Sequence, residues 1–385
     1  MKIRLERDVL ADAVAWAARS LPIRATNPIL SGLKIEATGG EVVLSSYDYE
    51  TSAKITTQAE VGEEGVALVS GRLLADIARS LPHKVVDIST IEHSVELVCG
   101  TARFTLQTLP SDEYPPLPAM PTPAGQVRSA DFAAAVAQVV VAAGRDELLP
   151  VFTGVKMEIT ADEIALLSTD RYRMALKELP WQAEGGEDTT ALVPGKVLLD
   201  AAKALANSDE VVISLSEDPN GEGIIGFTGI GGTGKCEITT RLLDGEFPKV
   251  RHLMEIDPLV TVRANTAEVI AAVKRVALVA ERNTSMRMLI EPGVITLEAA
   301  TGDQAQAVEG LEAVVEDHTG AGLSIAQAGF NPHYLTDALS TLDSPFVNFS
   351  FTAPGKPCVL TQLDEIDGAT RPGYRHVIML MRLPT

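Results

Sequence analysis

Residues 28–48, PILSGLKIEATGGEVVLSSYD, and residues 150–170, PVFTGVKMEITADEIALLSTD, match without a gap. One offset of 122 carries Pro28 onto Pro150, Gly32 onto Gly154, Lys34 onto Lys156, Glu36 onto Glu158 and Asp48 onto Asp170. A match held in phase over this length means that one structural unit is used more than once. A second element recurs three times, as VSGRLLADIARSL, VPGKVLLDAAKAL and GFNPHYLTDALSTL, with Asp76, Asp200 and Asp337 at equivalent places. Near the start of each repeat stand ERDVLADAVAWAARSL, SADFAAAVAQVVVAAG and NTAEVIAAVKRVALVA.

The last three segments have the apolar spacing of helices, as in Val9, Leu10, Ala13, Val14 and Ala17, and Asn265 or Thr266 is positioned to cap the third. Between the helices lie alternating, β-branched stretches bounded by Gly, Asn and Asp, which read as antiparallel strands and hairpins. Each repeat is therefore expected to be an α+β unit of about two helices and eight strands. Proline-rich LPSDEYPPLPAMPTPAG and the in-phase LLDGEFPKVRHLMEIDPL read as extended linkers, giving domains 1–120, 121–256 and 257–385.

The charged and apolar residues of MKIRLERDVLADAV leave no signal-peptide core, and FAAAVAQVVVAAG is too short to span a bilayer, so a cytoplasmic location is expected. Cys99, Cys236 and Cys358 form no CxxC pair, and neither a disulfide framework nor a metal site is expected. The segment GIGGTGK, residues 229–235, has P-loop spacing. Yet β-branched CEITT follows Lys235 where a helix should start, and Cys236 stands where a hydroxyl should hold magnesium. The expectation is a hairpin turn, with no catalytic residues and no cofactor.

The formal net charge of −20 opposes nucleic-acid binding unless the 32 Lys and Arg are gathered on one surface. The recurring second helix suggests such a gathering. Leu73, Leu74, Ile77, Ala78 and Leu81 form its expected apolar face in the first copy, and Arg72, Asp76 and Arg79 the other face. Lys196, Asp200 and Lys203 repeat the polar set, while the third copy has His333, Asp337 and Ser340. Further basic residues follow or end the first helices: Arg24, Arg145, Lys274, Arg275 and Arg282. Contacts of this kind meet phosphates without reading bases.

With MKIRLERDVL, NPIL, LSTDRYRMA, LLDGEFP and HVIMLMRLP on the page, the whole chain resembles the bacterial sliding clamps, the β subunits of DNA polymerase III. The resemblance implies three repeated DNA-clamp domains per chain, each two helices packed on antiparallel sheets, and a head-to-tail homodimeric ring. Such a ring encircles double-stranded DNA without sequence preference and tethers the DNA polymerase III α subunit, the clamp loader, and repair and other polymerases through short apolar peptides. The implied partner groove comprises Thr169, Arg171, Tyr172, Arg173 and Met174; Pro248, His252 and Leu253; Gly355 and Pro357; and Val377, Ile378, Met379, Leu380, Met381, Arg382 and Leu383. Alternate residues of VIMLM are expected to serve as core strand. The implied subunit contact sets Phe104 and Leu106 against Leu278 and Val279, with Arg103 meeting Asp303. Pro150 and Val151 stand where family members carry an aromatic pair that contacts DNA, whereas Arg24 matches a DNA-facing arginine. Pro384 and Thr385 extend past the usual Arg-Leu ending.

Overall fold

The computed structural model describes all residues except 26, 185–187, 217–222, 281–283, 302–303, 321 and 384–385. The chain forms two compact units, Met1–Ala133 with Trp181–Glu187 and Val197–Leu242, and Ala134–Pro180 with Asp188–Lys196 and Leu243–Thr385.

The first unit contains a five-stranded and a nine-stranded sheet. The five-stranded sheet runs Glu60–Glu63, Lys2–Glu6, Val85–Ile91, Ser94–Cys99 and Ala102–Gln107, all antiparallel. In the nine-stranded sheet, Gly234–Arg241 pairs with Thr51–Gln58, so strands of the first two repeats share one ladder. Helices α1 (Arg7–Ala17) and α2 (Gly71–Ser80) pack together, and α3 (Ser129–Val140) follows the strand Thr122–Arg128. Alternation decides which strand face turns inward: Leu33, Ile35, Leu44 and Ile55 are buried, and Trp16 of α1 donates its indole N–H to Lys54 O at 3.1 Å.

The second unit repeats the plan with a nine-stranded and a four-stranded sheet. Here Tyr374–Ile378 pairs with Arg173–Pro180, the same junction one repeat later. The four-stranded sheet runs Ala305–Glu312, Val294–Thr301, Met286–Glu291 and Gln327–Phe330. The one-turn α4 (Pro150–Thr153) precedes the strand Gly154–Ile159, and α5 is Gly195–Leu205. Helices α6 (Thr266–Val276) and α7 (Pro332–Ser340) cover a core that includes Val269, Val273, Leu335, Phe330 and Phe349. Asn265 is the cap of α6, its side chain accepting from Glu268 N at 3.1 Å.

Two sequence expectations change. Among the described residues each repeat has nine strands, because the fourth strand is interrupted for one residue and its continuation crosses to the repeat's first strand. These continuations are Glu60–Glu63, Gln182–Ala183 and Val314–Asp317. Leu73 is 50% exposed, standing about 100° from Leu74 around the helix and outside the Leu74–Ile77–Ala78–Leu81 stripe. The GIGGTGK segment is a hairpin between Ile224–Gly231 and Gly234–Arg241, and Lys235 pairs with Glu237 at 2.8 Å. All three cysteines are buried and free.

Candidate partner groove and nucleic-acid interface

The groove is built on the turn between strands Glu163–Thr169 and Arg173–Pro180. Asp170 Oδ1 accepts from the backbone N–H groups of Tyr172 (3.0 Å) and Arg173 (2.9 Å), and Thr169 Oγ1 accepts from Arg171 N (3.0 Å). Arg171 is held at φ +80°, an uncommon conformation for a side chain of this size. That backbone presents Arg171 and Tyr172 outward while Arg173 and Met174 turn in. The same turn occurs in the first repeat, where Tyr49 has φ +78° and Asp48 accepts the equivalent bonds.

Arg173 is 5% exposed and lies between Asp170 (3.0 Å) and Asp337 (2.7 Å), with its guanidinium 4.6 Å from the Tyr334 ring centroid. Tyr334 stacks on Tyr172, centroids 6.3 Å apart, and Arg171 lies 5.3 Å from the Phe152 ring. Around this aromatic and basic wall opens a cavity of about 460 Å³, lined among others by Arg145, Leu149, His333 and Tyr334. Arg145, grouped by sequence with the DNA-facing residues, is thus brought to this cavity.

Beside it lies an apolar cluster that includes Met174, Leu192, Phe247 and Val377, with Leu243, Leu253 and Met379 half-buried against it. Pro248 is half-buried and His252 exposed in the linker above. The tail alternates as its sequence suggests. Val377 and Met379 pack on this cluster, whereas Ile378 and Leu380 pack on the third-repeat core. Backbone bonds from Met379 N to Tyr172 O and from Met381 N to Gly329 O, each 2.8 Å, fix the tail's course. A Cβ on Gly329 would stand 2.6 Å from Met381 O, so a side chain there would displace the tail. Met381 and Leu383 are half-buried and Arg382 exposed. Gly355 (φ +73°) lies in the turn before Cys358–Leu363, and Pro357 is one step beyond the Cys358–Ile378 pair.

His376, on the strand that leads to the tail, is fully buried, and burial together with the nearby Arg173 charge pushes its imidazole down to about 3. The unfolded chain takes up this proton near pH 6.5 and the folded chain does not, so stability falls as pH drops from about 6.5 toward about 3. At pH 5 the expected loss is roughly 2 kcal/mol relative to neutral pH. Thermal melting at pH 7.5 and pH 5 checks this: His376→Gln should show a clearly smaller acid shift than the parent protein. Equal shifts would remove His376 as the cause.

The basic residues are described within each unit. In the first, Arg24, Arg72, Arg79 and Lys203 are exposed, and Arg72 donates to Pro22 O at 2.9 Å, bracing the loop that carries Arg24. In the second, Lys196 and Lys274 are exposed, whereas Arg275 is committed to Glu309, with its Nε at 3.0 Å from Oε2. That guanidinium holds the Glu309 carboxyl below its ordinary range. Arg282 lies outside the described residues. Of the subunit-contact set, Leu278 is 84% exposed, Val279 packs on the core and Phe104 is half-buried. Leu106, 2% exposed, is already taken up by its own core. Arg103 pairs with Glu96 at 3.1 Å, and Asp303 lies outside the described residues.

Phe152, Tyr334 and His376 were not among the residues that the sequence singled out. Tyr334 sits in the recurring GFNPHYLTDALSTL element, and Asp337 was marked there as a repeat position without a role. Among the described residues no group of His, Cys, Asp and Glu could hold a metal ion, and no helix is long and apolar enough to cross a membrane.

Family models for the DNA polymerase III beta subunit match along the chain: the N-terminal domain at residues 1–118, the central domain at 126–249 and the C-terminal domain at 257–382. A Streptomyces coelicolor beta sliding clamp is 51% identical over 384 residues, covering 100% of both chains. One from Micrococcus luteus is 45% identical and covers 82% of this chain and 100% of its own. The fold matches the crystal structure of the Pseudomonas aeruginosa DNA polymerase III subunit beta with a TM-score of 0.88 at 23% identity, each chain covered at 100%. The chain therefore belongs to the DNA polymerase III beta subunit family, the beta sliding clamps, and is a non-catalytic processivity subunit.

Proposed function

We propose that two copies close head to tail into a ring around duplex DNA, and that the groove beside Tyr172 and Met379 tethers polymerases and other DNA-processing proteins. One observation carries the ring. Where successive repeats meet, the ninth strand of the later pairs with the fourth strand of the earlier, completing nine strands. The remaining sheets have five and four strands and end on Ala102–Gln107 and Ala305–Glu312. These edges are the ninth strand of the first repeat and the fourth of the third. Pairing them between copies makes a third nine-stranded sheet, and a heterologous contact of this kind closes a ring when two copies complete the circle.

The repeat equivalence also sets a register. Cys236 faces Ile55 and Ile238 faces Ala53 in the first-unit sheet. Phe104 and Leu106 correspond to Cys236 and Ile238, and Glu309 and Ala307 to Ile55 and Ala53. Phe104 would therefore lie opposite Glu309 of the second copy, with Leu106 opposite Ala307.

DNA contact is assigned to Arg24, Arg72, Arg79, Lys196, Lys203 and Lys274, as loose phosphate contacts that do not brake sliding. The domains are taken as 1–120, 121–256 and 257–385. The groove accepts short apolar peptides from the polymerase III α subunit, the clamp loader and repair polymerases in the cytoplasm. A Pseudomonas aeruginosa clamp has been crystallised bound to griselimycin, and the same ligand serves here as a groove probe. Primer extension with polymerase and clamp loader tests the reading. The parent protein should lengthen products several-fold, and Arg79→Ser with Lys203→Ser should lower that stimulation more at low salt than at high salt, where counterions already weaken phosphate contacts. Product length unaffected by the protein would overturn the function.

A further inference from the structure

On the outer face of the second unit's nine-stranded sheet lies a cavity of about 340 Å³, separate from the 460 Å³ cavity at Tyr172. Its floor is a cross-strand row. Arg263 pairs with Asn348, and Asn348 with Thr361. The register of the next pair of strands continues the row to Arg375. Inward neighbours on these strands, such as Val262, Val347, Phe349 and Leu360, belong to the apolar core, so the row itself faces out. His318 lines the cavity, its Nε2 at 3.1 Å from Thr261 Oγ1, and Met254, Ile256 and Pro258 of the linker line it too.

Both arginines are under-compensated. The nearest carboxylates are Glu316, 3.8 Å from Arg263, and Glu178, 3.8 Å from Arg375, which are loose pairs. Arg263 also donates through Nη1 to Ile366 O at 3.2 Å, but its buried Nε has no hydrogen-bond partner. Asn348 is 4% exposed, and its amide N–H groups donate to the hydroxyl oxygens of Ser350 and Thr361, which leaves each hydroxyl its own O–H to donate; its unpartnered Oδ1 is an acceptor and no ligand for an anion. In a chain of net charge −20, two guanidinium groups that flank one cavity and are only loosely paired stand out as groups with hydrogen-bond capacity to spare.

We propose that this cavity is a binding site for a small oxyanion of the phosphate class. Guanidinium groups on two sides and hydroxyls from Ser350, Thr361 and Thr370 suit a tetrahedral anion, whose oxygens point in several directions. A planar carboxylate offers two oxygens on one side only. The volume exceeds that of phosphate alone and leaves room for the substituent of a phosphomonoester. Met254 and Val359 line the cavity and also belong to the apolar cluster beneath the partner groove. An anion held there would brace the linker from below. The site requires neither ring closure nor a bound partner.

Isothermal titration of the full-length protein, in chloride buffer at fixed ionic strength, with inorganic phosphate and separately with phenyl phosphate tests the site. The expected result is saturable uptake of about one anion per chain, weakened about tenfold or more by Arg375→Gln or Arg263→Gln and unchanged by Lys84→Gln, an exposed lysine of the first unit. Tighter binding of phenyl phosphate would assign the site to a phosphomonoester, and tighter binding of inorganic phosphate to the free ion. Should either arginine variant lower the melting temperature in chloride, Thr361→Val, which keeps both charges, provides the second reading and should weaken uptake several-fold. Absence of saturable uptake overturns the proposal, as does equal uptake by the parent protein and folded variants of the row.

Discussion

Leu278→Asp should convert a species of twice 40.9 kDa into one of 40.9 kDa in light scattering at micromolar concentration. Leu278 is 84% exposed in the isolated chain, in the turn Ala277–Val279 that ends α6. A side chain so placed contributes little to the fold of its own domain, so the melting temperature of the variant monomer should stay close to that of the parent chain. At the proposed subunit contact the same side chain becomes buried, and an aspartate there must be desolvated without a partner. That costs about 3 kcal/mol or more at each of the ring's two contacts, over ten-thousandfold in dimer dissociation constant. Val279, one residue on, already packs against the third-repeat core and would be a poor choice, because its loss would confuse folding with assembly. Dimeric mass retained in Leu278→Asp would place the contact elsewhere.

Tyr172→Ala combined with Met379→Ala should reduce griselimycin affinity by roughly a thousandfold, about 4 kcal/mol, without unfolding the chain. Tyr172 is 56% exposed and stacks on Tyr334, forming one wall that a ligand would cover. Met379 is half-buried against the apolar cluster and has the pliancy to fit related apolar ligands. Central aromatic and apolar anchors of this kind dominate binding, whereas rim charges such as Arg382 contribute little. Fluorescence anisotropy with labelled griselimycin measures the loss. A change below tenfold would move the partner site away from Tyr172 and Met379.

The internal repeats were legible because identical residues stay in phase from Pro28 to Asp48 and from Pro150 to Asp170, and periodicity separated helices from strands. The extra strand of each repeat, fifth in chain order, was not. Gln182–Ala183 follows Arg173–Pro180 after a single residue, so the pattern reads as one strand, and only pairing shows that the chain has crossed between sheets. Position on a helix was legible for Leu74 and Ile77 but not for Leu73, which depends on what covers the first turn.

At the groove, the tail VIMLM displayed its alternation in sequence, whereas the contacts of Phe152 and Tyr334 with Arg171 and Tyr172 join residues far apart in the chain. No local pattern encodes such meetings. The charge of Arg275 was legible, but its commitment to Glu309 required a neighbouring strand. Tyr47 and Tyr114 stand where the second repeat has Thr169 and Phe247, and Tyr114 Oη accepts from Tyr47 N at 2.8 Å within a filled apolar cluster.

Release from DNA on cutting the circle tests encirclement most directly. Protein loaded onto a nicked circular duplex by clamp loader and ATP, then freed of both, should stay bound through a high-salt wash and leave once a restriction enzyme opens the circle. Persistence on the linear product, or loss from the intact circle in the wash, would mean that surface affinity and not topology holds the protein on DNA.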